Sequence, residues 1–155
     1  MVLSATPEHD LPHQPAWMRV LRTAGRLALG FFLAFAGLGH LTFAREAFYA
    51  QVPQWIPLDQ DFVVVASGIV EIVLGLSLLL VRKHRVLLGW VVAAFFVAVF
   101  PGNISQLVTA TDSFGLNSDS SRALRLVFQP VLVAWALWGT GAWRHWRQAR
   151  RRRAA

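Results

Sequence analysis

The sequence contains no cysteine. That absence excludes disulfide scaffolding, CxxC redox chemistry, thiolate metal sites, thioether haem attachment and a cysteine nucleophile. Charge is also scarce: 15% of the 155 residues are Asp, Glu, Lys or Arg, against about a quarter in an ordinary soluble domain. With 55% hydrophobic residues and a mean hydropathy of +0.47, too little polar surface remains to cover a water-soluble globule of this size. Soluble enzymes, disordered chains and disulfide-framed secreted modules are excluded, and the length allows one domain at most.

What is abundant is the long apolar run. Four stretches, at about 24–43, 61–81, 86–108 and 123–143, are each long enough to cross a hydrocarbon core, which takes roughly 20 residues of helix. Backbone groups in lipid must be paired internally, and no strand-like alternation suggests a barrel, so helices are expected. The predicted fold is all-α, an integral membrane four-helix bundle occupying residues 19–143. Residues 1–18 hold three prolines and no apolar run, which predicts a flexible cytoplasmic lead and no cleavable signal peptide. The segment 44–60 mixes Phe48, Tyr49, Trp55 and Ile56 with Pro53 and Pro57, as suits chain lying in a membrane interface. RKHR at 82–85 reads as a tight basic turn, 109–122 as a polar loop, and 144–155 as a basic tail.

Lys and Arg positions set the expected orientation. Twelve of the fifteen fall on one side of this topology, and Arg45, Arg122 and Arg125 fall on the other. Both termini are therefore expected in the cytoplasm. A net charge of +7 invites a nucleic-acid reading, but arginines just after a span ordinarily anchor topology and touch anionic lipid heads. The lipid bilayer is the expected partner, and nucleic acid is not.

Polar groups inside spans are expensive and mark function by default. Glu71 lies ten residues into the second span, about 15 Å deep. It shares a ridge with Ser67 and Gly75, beside Gly68, so this face should look into the bundle. Glu71 reads as a proton-exchanging or ligand-binding carboxyl, with a structural hydrogen bond between helices as the competing reading. His40, near the end of the first span on a face with Ala36 and Gly37, is either a partner of Glu71 or a ligand, or an interfacial histidine bonded to a loop carbonyl. Asn103 follows Pro101 and Gly102, where a kink should open room. Gln129 precedes Pro130 in the fourth span. Gln106 and Arg125 lie nearby, and Arg125 is expected to snorkel outward rather than neutralise a buried acid. His40, Asn103 and Gln129 fall in the outer half with Glu71 below them, so each helix supplies a polar group to a similar region, which predicts a small amphiphilic pocket at the outer end of the bundle, with Ser67 among its candidates; scattered interhelical glue is the alternative. One histidine and one glutamate inside the spans make a poor haem or transition-metal site.

The segments AGLGHLTF, VPQWIP, SGIVEIVLGLSLLLVRKHR, VAVFPGN and FQP, in that order, resemble the DoxX-like family of small four-span membrane proteins over roughly residues 25–140. The resemblance implies a four-helix bundle of a kind also used by quinone-linked disulfide-forming enzymes. It implies a link to membrane oxidoreductase complexes, with His40, Glu71, Asn103 and Gln129 as pocket residues. The family takes its name from a subunit associated with a thiosulfate:quinone oxidoreductase. That sulfur chemistry does not carry over to a chain without cysteine, and any redox role then needs an external cofactor or partner. The expectation is a protein that binds a lipophilic small molecule, with quinone as the candidate cofactor and a membrane oxidoreductase or a second copy as partner. A non-catalytic scaffold subunit and an oligomeric proton-coupled transporter are the rival expectations.

Overall fold

The computed structural model describes residues 15–109 and 119–154. Most of the expected lead, and residues 110–118 of the expected polar loop, lie outside the described residues. The elements run in the order α1 (Ala16–Leu41), α2 (Arg45–Phe48), a 3-10 turn (Tyr49–Gln51), α3 (Gln60–Leu80), α4 (Arg85–Val108), α5 (Asp119–Thr140) and α6 (Ala142–Ala154). The described residues are helical or connecting, with no strand among them.

Four of these helices are long and apolar enough to cross a membrane: Ala16–Leu41, Gln60–Leu80, Arg85–Val108 and Ala123–Thr140 of α5. At 1.5 Å per residue the shortest full helix, α3, measures about 31 Å, close to the thickness of a hydrocarbon core. Their outer faces carry Phe31, Phe35, Val73, Leu80, Val97 and Val127, all well exposed. A face this apolar belongs against acyl chains rather than water. The first helix begins eight residues ahead of the run at 24–43 and ends at Leu41. Its amphipathic first turns, with Arg19 and Arg22 among Val20 and Leu21, extend a helix whose middle is fully apolar.

The helices pack as two antiparallel pairs. In the first pair, α1 lies against α3 with backbones in near contact. A methyl group on Gly37 would sit 2.5 Å from the Gly68 carbonyl oxygen, and one on Gly75 would sit 2.6 Å from the Gly30 carbonyl oxygen. Small residues at both crossings let the helices approach closely, which is how helices associate when lipid removes the hydrophobic driving force. In the second pair α4 lies against α5. The pairs join along α1 and α5, where Trp135 Nε1 donates to the Gly25 carbonyl at 3.0 Å. Helices α3 and α4 touch sparingly, and α3 does not reach α5. Leu29, Leu33, Leu78, Val92, Phe96, Leu132 and Ala136 fill the shared core.

Local chemistry explains the ends. Asp59 caps α3, its carboxylate accepting from the Phe62 amide at 3.0 Å. Arg26 of α1 donates to the Val81 carbonyl at 3.2 Å, satisfying an acceptor just past the end of α3. The fourth span stops at Thr140, short of the expected Trp143. Gly141 adopts φ +78°, a left-handed conformation that ends helices. The basic tail is therefore a separate helix, α6, on which the Trp143 and Trp146 rings pack tilted by 38° with centroids 5.2 Å apart and Arg150 lies 5.0 Å from the Trp146 ring centre.

Candidate functional site

Between Leu41 and Gln60 the chain folds back over the end of the bundle. Arg45 of α2 forms an ion pair with Asp61 at the start of α3. The Tyr49 hydroxyl donates to the same carboxylate at 2.7 Å. The Asp61 carboxylate thereby favours the cationic form of Arg45 and the protonated form of Tyr49, raising both pKa values above their ordinary levels. This clamp fixes α2, and with it Phe48, whose ring centroid lies 3.4 Å from that of His40. The segment expected to lie along an interface thus contributes a cover to the His40 ring.

His40 is buried, 7% exposed. Its Nδ1 lies 3.2 Å from the Val64 carbonyl and 3.1 Å from Ser67 Oγ, and the Ser67 hydroxyl itself donates to the Val64 carbonyl at 3.0 Å. A carbonyl can only accept, and the serine proton is already directed to that same oxygen. Nδ1 must therefore carry the hydrogen, which leaves Nε2 of a neutral ring as an acceptor. Nε2 faces Glu71 Oε2 at 3.6 Å. That oxygen is buried and has no hydrogen-bond partner. The separation is too long for a hydrogen bond. A proton held on either group makes the pair a carboxylic acid facing imidazole, or a carboxylate facing imidazolium. A polar atom lying to one side of the pair, within hydrogen-bond distance of both, would find both a donor and an acceptor.

The other predicted residues form a second group. Asn103 Nδ2 donates to Gln129 Oε1 at 2.9 Å, and Gln129 Nε2 donates to the Phe96 carbonyl at 2.6 Å. Both side chains are buried and join α4 to α5. The room expected near Gly102 is taken by backbone: the Gln51 carbonyl lies against it, closer than a Cβ would allow. The five predicted residues thus fall into two clusters, His40, Ser67 and Glu71 on the α1/α3 pair and Asn103 and Gln129 on the α4/α5 pair. A cavity of about 220 Å³ at the same end is lined by Tyr49, Val52, Gln60, Ser105 and Thr109 among others. None of the five lines it.

Arg125 turns inward onto α4, contrary to the expectation that it snorkels outward. Its Nη1 donates to Gln106 Oε1 at 3.2 Å, and Gln106 is 1% exposed. Arg125 lies on the helix pair opposite the one that carries Glu71 and His40. An acid without a full partner across the seam makes the inward rotamer favourable, which outward solvation would otherwise win. The spacing held the signal: Arg125 is four residues before Gln129 and Gln106 three after Asn103, so each shares a helical face with a predicted residue. Phe48 carried no such signal, because only the Arg45–Asp61 clamp brings it to His40.

These features define a polyhelical membrane protein with a carboxyl, an imidazole and a guanidinium gathered toward one end. The chain belongs to the DUF8561 family, a domain of unknown function, whose model matches residues 29–140. All the residues of both clusters lie within that match. No curated protein and no solved structure matches the chain.

Proposed function

We propose that the chain binds a lipophilic small molecule with carbonyl or hydroxyl oxygens, a quinone being the leading class, and serves a membrane oxidoreductase system. The observation that carries this is the buried Glu71 Oε2, which lacks a hydrogen-bond partner and stands 3.6 Å from His40 Nε2. A carboxyl in such a place is costly unless protonated, paired or serving a ligand. Glu71 would hold or exchange a proton with a ligand oxygen, His40 would accept or return it, and Arg125 would offset negative charge arising there. Ser67 keeps the imidazole oriented, while Asn103 and Gln129 hold α4 to α5. The sparse contact between α3 and α4 offers an apolar ligand a path from the acyl chains.

The resemblance to DoxX-like proteins supports the same reading. So does the residue set, which fits a quinone's two oxygens without any chemistry that cysteine would provide. The membrane is a bacterial-type cytoplasmic membrane with both termini inside, a placement supported by the distribution of Lys and Arg. Native mass spectrometry with lipid and quinone identification, on wild type and on Glu71→Gln, tests the proposal. A quinone-class adduct retained by wild type and depleted in the variant is expected. Equal occupancy in both, or no such adduct when quinones are supplied, overturns it.

The Asn103–Gln129 link favours a second reading, a non-catalytic scaffold subunit, because those amides are used up holding α4 to α5. A stoichiometric protein partner that co-purifies equally with wild type and Glu71→Gln would select it.

A further inference from the structure

Residues 45–51, which form α2 and the 3-10 turn, lie across the end of the bundle, and none of them is buried. Immediately after them Val52 and Pro53 are buried and anchor the chain. Over its own length the segment is fastened by a polar clamp. Arg45 and the Tyr49 hydroxyl both donate to the Asp61 carboxylate, and the ion-paired side chains of Arg45 and Asp61 are 39% and 42% exposed. An ion pair so open to solvent contributes little to stability.

Two contacts mark what the segment covers. The Phe48 ring lies over His40, with centroids 3.4 Å apart, and the Gln51 carbonyl rests against Gly102 of α4. The segment therefore reaches from the α1/α3 pair to the α4/α5 pair. His40 is the next-to-last residue of α1, near the end of its span, yet it is buried. The seated segment also carries a cost. Gln51 Nε2 is buried and has no hydrogen-bond partner. A buried donor left unpaired costs more than an exposed ion pair returns. Lifting the segment would hydrate that amide, and the segment has no buried residue of its own to expose. Segments with few buried contacts open locally at far lower free energy than the whole fold.

We infer that residues 45–51 form a lid that opens and closes over His40, with the Arg45–Asp61–Tyr49 clamp as its catch. When open, it admits water to the imidazole from the aqueous phase at that end of the bundle. The use of such access rests on the reading of His40 and Glu71 as a proton-exchanging pair: an apolar ligand can arrive through acyl chains, whereas a proton needs water. The motion of the lid itself requires no ligand.

The test uses the full chain in neutral detergent without ligand. Diethylpyrocarbonate, which acylates neutral imidazole from water, is applied at about pH 8, and modification of each histidine is followed by peptide mass spectrometry. His84, exposed at the opposite end of the bundle, is the internal reference. In wild type His40 should react far more slowly than His84. Asp61→Asn and Arg45→Gln each release the catch and should quicken His40 about fivefold, the population change that one exposed ion pair supports, with His84 unchanged. Gln51→Leu removes the stranded donor, favours the closed lid and should slow His40 about fivefold or more. Amide hydrogen exchange should quicken within residues 45–51 in both catch variants and stay unchanged within residues 28–38 of α1. His40 reacting as fast as His84 in wild type, or at one rate in all four proteins, overturns the lid. Faster exchange within 28–38 alongside the rise at His40 also overturns it, because the whole bundle would then be loosening. If His40 responds as expected while no quinone-class adduct is found, the lid stands and the ligand reading falls.

Discussion

Gly68 lies directly against His40: a methyl group on the glycine would sit 2.6 Å from the His40 Cβ. The same glycine is part of the crossing that brings α1 and α3 together, so the position of the imidazole and the tightness of the helix pair are set by one missing side chain. Gly68→Ala should lower stability by about 1–3 kcal/mol, as overpacking does, and should also disturb the His40–Glu71 pair. Reversible unfolding in mixed micelles measures the first effect. Val73→Ala, on an exposed face of the same helix, should change stability by less than about 0.5 kcal/mol. Equal effects at the two positions would contradict the close crossing.

Gln129 spends both ends of its amide, one on Asn103 and one on the Phe96 carbonyl. Gln129→Leu strands two buried partners and should destabilise by about 1–3 kcal/mol. Asn103→Leu in the Gln129→Leu background should cost less than Asn103→Leu alone. The coupling from a double-mutant cycle should be about 0.6 kcal/mol and at most about 1.7, the range for hydrogen bonds between membrane helices. Strict additivity would mean the amides do not meet.

Arg125 on α5 and Glu71 on α3 are a cation and an acid on opposite sides of the seam between the two helix pairs. At a pH high enough to ionise the acid, Arg125→Met should therefore cost more stability in wild type than in Glu71→Gln, which carries no charge to offset. The same unfolding measurement, made on all four combinations, checks this. An identical cost in both backgrounds would return Arg125 to the outward rotamer.

Tyr49 is the one tyrosine in the chain, so its ionisation can be followed by ultraviolet difference absorbance without assignment. Its hydroxyl donates to the Asp61 carboxylate, and removing that proton would place two negative charges together. The hydrogen bond to Asp61 raises its pKa above 10.0. Tyrosinate should accordingly appear at higher pH in the wild type than in Asp61→Asn, where the anionic acceptor is gone. A titration that coincides in the two proteins would show that the clamp over Phe48 is not formed.

The membrane-crossing helices were legible because length and hydropathy suffice to specify them: lipid allows few ways to pair a backbone. Glu71 was legible for the complementary reason, a costly group in a cheap background. The grouping of the polar residues was not. Depth along each span placed His40, Asn103 and Gln129 in the outer half with Glu71 below them, but depth does not say which helices are neighbours. Pairing of α1 with α3 and of α4 with α5 divided them, and the Gly30–Gly75 and Gly37–Gly68 crossings that fix the first pair are read only once its register is known. Arg125 was misplaced because an arginine near a helix end ordinarily reaches water, and the pull of an acid on another helix has no trace in local sequence. The break at Gly141 was passed over because Trp143 continued the apolar run.

Helix pairing here follows chain order, α1 with α3 and then α4 with α5. Each antiparallel hairpin can leave the insertion machinery already docked to its sibling. Chain order thus lets the imidazole and the carboxyl meet within the first hairpin, while the Arg125 guanidinium comes from the last of the crossing helices.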